Sequence, residues 1–343
     1  DNYNYSQHYL HFSINGQTYE SYDNGTDYVE HKIVFQPGTY TVQWKDTIHN
    51  TTTAYKTKIR NIELSRNWLE VNVASPGTLG IEVLRQVNVL NDVELIKIKG
   101  SLNDADWTTI GQMNNVVGID LSETSITTIP NEAFSGLTLL TDVKLPETLT
   151  SIGEYAFHKT KIWQIDIPAA VTILKQDAFS RTYLRRVGFA PNTQLKTIER
   201  GVFYYCERLN EFTMPNTVME LTGVLTFANC TNLKKLHFSE ALINIPGETC
   251  EYCYNLTDVV LPPALQSIGS NAFYRTTTLR KIDFPETLQS IGQYAFQESR
   301  LDTVRLPLNL TTLDYYAFGN CDSLKYVELS AYIPKYYYNF SDS

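Results

Sequence analysis

Cysteine carries the most obvious chemistry in this 343-residue chain. Cys250 and Cys253 stand in a C-x-x-C spacing that by itself suggests a redox pair or half of a metal site. No second pair and no nearby histidine completes it. Cys206, Cys230, Cys253 and Cys321 instead share one phase of a repeat, each three residues after a bulky anchor. The same slot holds Thr160, Thr182, Thr276 and Ser299 in other copies. A slot reserved for small residues with a weak donor is a packing position that can bond a neighbouring turn. These cysteines therefore read as free structural thiols, since a disulfide between adjacent copies would also require facing side chains.

Other chemistry is sparse. His8, His11, His31, His49, His158 and His237 fall at unrelated phases, and no H-E-x-x-H, G-x-S-x-G, P-loop or G-x-G-x-x-G occurs. Asp104 and Asp106 read as solvated acids at a helix N-terminus, where they suit the dipole. No catalytic residue, metal site or cofactor is expected, and the chain is read as a non-enzyme. Asn-x-Ser/Thr sequons are numerous, but Asn229 adjoins the inward slot of Cys230, so an unglycosylated bacterial origin is favoured. A net charge of −9 offers no basic footprint for nucleic acid, and no run approaches the roughly 20 apolar residues that span a bilayer. The first residues lack a cationic-then-apolar signal pattern, which fits a cytosolic protein or a mature chain whose targeting segment was removed.

The element that positions these residues is a repeat of the form I-x-x-x-A-F-x-x-C-x-x-L-x-x-V-x-L-P. Its anchors are Phe134, Phe157, Phe179, Phe203, Phe227, Cys250 in place of Phe, Phe273, Phe296 and Phe318, spaced 22–24 residues apart. Nine copies at so tight a period predict a stack of small units, none stable alone. In each copy V-x-L predicts a short strand with apolar side chains turned into the stack, ended by Pro146, Pro168, Pro215, Pro262, Pro285 or Pro307. The Ala-Phe half is expected to pack from the opposite wall.

Outside the array the texture changes. Residues 1–75 alternate with period 2 around Asn15-Gly16 and Pro37-Gly38. They predict hairpins at 10–20 and 33–44, further strands at 55–64 and 68–73, and an all-β module with an immunoglobulin-like sandwich as its candidate form. Ser75-Pro76-Gly77 marks the boundary. Residues 76–121 predict a cap: a helix opened by Thr78 with Leu79, Val83, Leu84 and Val87 on its apolar stripe, a strand at 93–98, a helix capped by Asn103 or Asp104, and a strand at 116–121. The solenoid occupies 122–330, and 331–343 is a tail or partial C-terminal cap. The fold class is thus α+β repeat: a solenoid of about nine 22–24-residue units behind an N-terminal β module.

The wording LPETLTSIGEYAF at 145–157, LPPALQSIGSNAF at 261–273 and FPETLQSIGQYAF at 284–296 closely resembles the BspA-like, or Treponema-type, leucine-rich repeat family. The resemblance covers 122–330, and the cap resembles the segment introducing such arrays in Bacteroidales surface proteins. It implies a curved leucine-rich repeat solenoid with a parallel strand on its concave face. It also implies a secreted or surface-anchored location, such as an outer-membrane lipoprotein after signal removal, and adhesion to host matrix, other bacteria or glycans. Cys250, Ser239 and Ser330 depart from the pattern, so those copies are expected to be slightly irregular.

Information about partners lies in the outward x positions of L-x-x-V-x-L. These hold Lys144, Arg185, Arg186, Lys234, Lys235, Arg280, Lys281, Arg305 and Lys325 against Asp142, Asp166, Glu211, Asp258, Asp283, Asp302 and Glu328, giving 9 − 7 = +2 in an acidic chain. The pairs 185/186, 234/235 and 280/281 share a phase, and Trp163 and Tyr326 add aromatics. The bland reading is a polar strand face that tolerates any residue. The functional one is a shallow cationic groove for an acidic protein segment or sulfated glycan, on a monomeric extracellular binding protein. The alternative is a carbohydrate-binding protein that uses the Tyr- and Trp-rich N-terminal module.

Overall fold

The structure is a computed structural model that describes residues 8–14, 17–23, 42–47, 68–329 and 340, and the chain divides into two compact units, 1–67 and 68–343. In the first unit His8–Ile14 pairs antiparallel with Gln17–Asp23 and with Val42–Thr47. The sandwich, the turns at 15–16 and 37–38, and the strand expected at 55–64 lie outside the described residues. So does the C-terminal tail, apart from Phe340.

In the second unit eight of the nine expected V-x-L strands form, the copy at 279–284 having none, and with three from the cap they line one wall of eleven parallel strands: Leu69–Val73, Leu95–Gly100, Gly118–Thr124, Asp142–Lys144, Gln164–Ile167, Arg186–Phe189, Glu211–Thr213, Lys235–His237, Asp258–Val260, Thr303–Leu306 and Tyr326–Leu329. The first three precede the regular array, so the cap continues the stack and Leu69–Val73 pairs in parallel with Leu95–Gly100. Period-2 alternation sorts each strand. In Gln164–Ile167, Ile165 and Ile167 are buried while Asp166 faces out.

The sequence reading did not foresee a second ladder. The isoleucine or leucine that opens each copy forms its own short parallel strand, in nine copies from Thr128–Ile129 to Thr312–Leu313. Ser151–Ile152 lies in register with Thr128–Ile129 on one side and Ile173–Leu174 on the other. Glycines follow several of these strands because the preceding turn approaches closely. A Cβ on Gly292 would stand 2.6 Å from the amide nitrogen of Ser270.

Between the two ladders runs the anchor corner, where rings stack along the axis. Centroids lie 4.8 Å apart for Phe134–Phe157, 5.1 Å for Phe157–Phe179, 5.8 Å for Phe179–Phe203 and 5.5 Å for Phe203–Phe227. Cys250 interrupts the column, which resumes at Phe273 and ends with Phe318 against Phe340, 5.4 Å apart. Two residues before and after each anchor the backbone is left-handed, as at Tyr155 (φ 53°) and Lys159 (φ 61°) around Phe157. That alternation sends the N–H groups at −2, 0 and +2 the same way along the stack. Tyr155, Phe157 and Lys159 donate to the carbonyls of Gln176, Ala178 and Ser180 at 3.0, 2.8 and 3.1 Å. Three such bonds of one polarity cross seven of the eight junctions between anchors, and two cross that of Phe227 with Cys250, in place of the two-way exchange of an ordinary strand.

Two details of the cap depart from expectation. The helix Leu79–Leu84 buries Leu79 and Val83 but leaves Leu84 half exposed, and Thr78 bonds Ser75 O rather than capping. Asn103 does cap the helix Asp104–Gly111. Asp106, read as a solvated acid, is fully buried: it accepts from the amides of Gly77 (2.7 Å), Leu79 (2.9 Å) and Asn103 (3.0 Å), tying both helix starts together. Helix packing removes it from water, and three N–H donors replace the lost hydration.

Candidate binding surface

The thiol slot behaves as a stitch between repeats. Cys206, Cys230, Cys253 and Cys321 are buried, and each donates its S–H to the anchor carbonyl of the preceding copy: Phe179, Phe203, Phe227 and Phe296, at 3.1–3.2 Å. In the same slot Thr160, Thr182 and Thr276 turn back to their own anchor carbonyl at 2.8–2.9 Å. Burial pushes the Cys206 thiol up to about 12 and Cys321 to about 11, and drives Cys230 and Cys250 well above their ordinary value. All five cysteines are free. Among the described residues no cluster of three or more His, Cys, Asp or Glu could hold a metal ion. A buried thiol raised this far, such as Cys206 or Cys321, is a poor nucleophile and a poor ligand.

The V-x-L wall sorts its outward residues into columns. The first x position carries Trp163, Arg185, Lys234, Arg280 and Lys325, with Asp302 and the uncharged Thr141, Asn210 and Thr257 between them. The second carries Arg186, Glu211, Lys235, Asp258 and Lys281, in which basic and acidic residues alternate. Register brings Glu211 beside Lys235 and Lys235 beside Asp258. Much of the positive charge is compensated: Arg186 bonds Asp166 at 3.1 Å, Arg280 bonds Asp302 at 3.3 Å, Lys281 bonds Asp283 at 2.8 Å and Arg305 bonds Glu328 at 3.1 Å. Lys144 lies 3.5 Å from Asp120, whose carboxyl is held below the ordinary range against its burial by bonds from Ser122 and by the Lys144 charge. Arg185, Lys234, Lys235 and Lys325 are exposed and form no ion pair among the described residues. Trp163 and Tyr326 are 49 % and 55 % exposed. All nine residues singled out from sequence lie on this one wall, with the uncompensated charge concentrated in the first column.

A tyrosine corner was missed. Tyr155, Tyr204, Tyr205, Tyr252, Tyr274 and Tyr294 flank the anchors, with Arg181 4.4 Å over the ring of Tyr205 and Arg275 5.3 Å over Tyr274. Arg275 also bonds Glu298 at 2.8 Å, and Tyr274 donates to the same carboxylate at 3.2 Å. The signal was present in phase, since these tyrosines stand two before, one after or two after an anchor.

A family comparison now joins the geometry. The BspA type leucine rich repeat region matches residues 111–234 and 223–342, as six copies. The chain belongs to the BspA-type leucine-rich repeat family. It is similar to solved members of this kind of solenoid. A leucine-rich repeat protein from Bacteroides ovatus is 24 % identical over 74 % of this chain and 82 % of its own, with a TM-score of 0.38. A leucine rich cell surface protein from Faecalibacterium prausnitzii is 22 % identical over 74 % and 77 %, with a TM-score of 0.40. That likeness concerns repeat type and says nothing of a ligand. No curated protein matches the chain. BspA-type repeats are typically non-enzymatic scaffolds, and leucine-rich repeat proteins generally bind other proteins. Among the described residues of this BspA-type chain no helix is long and apolar enough to cross a membrane.

Proposed function

We propose that this chain is an extracellular or cell-surface binding protein, held at the surface as an outer-membrane lipoprotein, that engages a protein partner along its V-x-L wall. The partner surface is acidic and belongs to host matrix or to another bacterial surface. The supporting observation is the first outward column. A chain of net charge −9 presents Arg185, Lys234 and Lys325 there, exposed and without ion pairs among the described residues, while basic and acidic residues alternate along the second column. Uncompensated charge on a rigid face steers and orients an oppositely charged partner. Trp163 and Tyr326 in the same band supply the aromatic area that anchors interfaces.

The test is binding of the full chain to a panel of matrix proteins over a range of salt. For a bound member of the panel, affinity falls with salt, and the triple variant R185E/K234E/K325E loses both affinity and salt dependence. Unchanged binding by the triple variant removes the column from the account. A sulfated glycan bound in place of every protein assigns the wall to glycan recognition.

A further inference from the structure

The V-x-L wall parts in its middle. Its neighbouring copies are normally joined by backbone bonds, such as Arg185 N to Trp163 O at 2.8 Å, Lys234 N to Asn210 O at 2.8 Å, and Lys325 N to Asp302 O at 3.0 Å. Pairing also stops after Asp142–Lys144, but Lys161 N still reaches Leu140 O at 2.9 Å. It stops again after Asp258–Val260, where the Thr278 hydroxyl bridges to Leu256 O at 2.9 Å. Between 184–190 and 208–214 neither kind of bond occurs among the described residues. The cause is legible in the chain. Phe189 to Leu195 spans six residues where Leu145 to Leu149 spans four, so Ala190–Gln194 makes a wider turn that shifts one copy from the next.

Two independent observations mark this junction. A cavity of about 620 Å³ opens there, with Arg185, Val187 and Phe189 on one side and Glu211, Phe212 and Thr213 on the other. Thr217, also on its lining, has a buried hydroxyl with no hydrogen-bond partner among the described residues. Its equivalents Thr148 and Thr287 bond the preceding copy, at Ile126 O (2.7 Å) and Leu265 O (2.8 Å). Asn210 and Met214 use their O and N on the following strand, accepting from Lys234 and donating to His237 O. Strand alternation therefore turns the N–H and C=O of Glu211 and Thr213 toward the parting. Arg185 at its rim is exposed and has no ion pair among the described residues, while Arg186 is held by Asp166.

We propose that this parting is a docking groove for an extended peptide segment bearing a carboxylate, deepening the reading of the wall as a protein-binding face. The peptide main chain bonds the open edge of Glu211 and Thr213, an apolar side chain lies against Val187 and Phe212, and the carboxylate pairs with Arg185. An exposed strand edge supplies affinity through the main chain, and the pocket and charge supply selection.

The experiment pans a display library of random heptapeptides against the full chain. Enriched peptides are then made with blocked termini and titrated against wild type, R185E and T213P. The expected result is enriched sequences sharing an acid, bound at least about tenfold more weakly by R185E. They are lost by T213P, which removes an edge N–H but leaves Phe212 and Met214 free to pair onward. If T213P does not fold, peptides N-methylated at alternate residues pose the same question on wild-type protein and are expected not to bind. No enrichment over a bare support, or enriched peptides that bind R185E and tolerate N-methylation, overturns the proposal. So does protection of Arg185 by a heparin hexasaccharide with no peptide bound. Loss of matrix binding in K325E with the groove peptides unaffected keeps the groove and the wider column apart.

Discussion

Cys206 Sγ donates to the carbonyl oxygen of Phe179 at 3.2 Å, joining consecutive repeats across 27 residues of sequence, and Thr182 Oγ1 donates to the same oxygen at 2.8 Å. The thiol closes one repeat onto the last and keeps its proton to do so. With Cys206 at about 12 and Cys321 at about 11, these thiols stay protonated at pH 8. Native protein should consume almost no aromatic-disulfide reagent at that pH, and denatured protein should consume five equivalents. Cys206→Ala should cost about 1–2 kcal/mol in denaturant unfolding, from one lost bond and a small void. Rapid native labelling would show that the slot opens to solvent.

The anchor column makes a second prediction. Phe203 is fully buried between Phe179 and Phe227, with the ring of Phe212 5.0 Å away and tilted by 55°. Phe203→Ala should cost about 3–5 kcal/mol, since both neighbouring rings hold the cavity open. Because each repeat contacts only its neighbours, protection against hydrogen exchange should fall around 179–227 before it falls near 134 or 318. A loss spread evenly over the unit would contradict nearest-neighbour stacking.

Gly292→Ala should destabilise by more than loss of chain flexibility in the unfolded state can offset. Its new Cβ meets backbone of the preceding copy, which no side-chain rotation relieves. Gly111, where an added Cβ would meet nothing within 4 Å among the described residues, should accept alanine at little cost or with gain. Thermal melts of the two variants should move apart.

His158 supplies a pH dependence. It lies against Ser180 Oγ at 2.7 Å, and burial, with the Lys159 and Arg181 charges, holds its imidazole below the ordinary 6.5. The unfolded chain thus binds the proton more readily. Stability is full above 6.5 and falls as pH drops through 6.5 toward the folded value. Glu251, whose carboxyl is raised by burial, acts in the opposite sense. The comparison is therefore between wild type and His158→Gln, which should lose less melting temperature between pH 7.5 and 5.5. Equal losses would remove His158 as the cause.

Much of this was legible in the sequence because a solenoid repeats its physics. Phase alone located the V-x-L strands, the inward anchors and the thiol slot. The Ser-Ile ladder escaped because a two-residue strand such as Ser151–Ile152 leaves no alternation to read. The left-handed residues escaped because Tyr155, Lys159 and Arg181 occupy them where glycine would have signalled the turn. Asp106 was misjudged because its three amide donors come from residues as far away as Gly77. On the wall, residue types gave the positive charge, but only register revealed that Arg186, Arg280, Lys281 and Arg305 have acids beside them. Ser239, expected to be irregular in place of Pro, is buried and bonds Val218 O at 2.6 Å, which keeps its turn in frame.

The most direct test of the binding wall is hydrogen exchange of the full chain, free and saturated with the matrix protein found on the panel. Slowed exchange confined to the V-x-L strands around 185–187, 211–213, 233–236 and 324–327 is the predicted result. Slowed exchange confined to the Ser-Ile ladder or the tyrosine corner, with those strands unchanged, would contradict it.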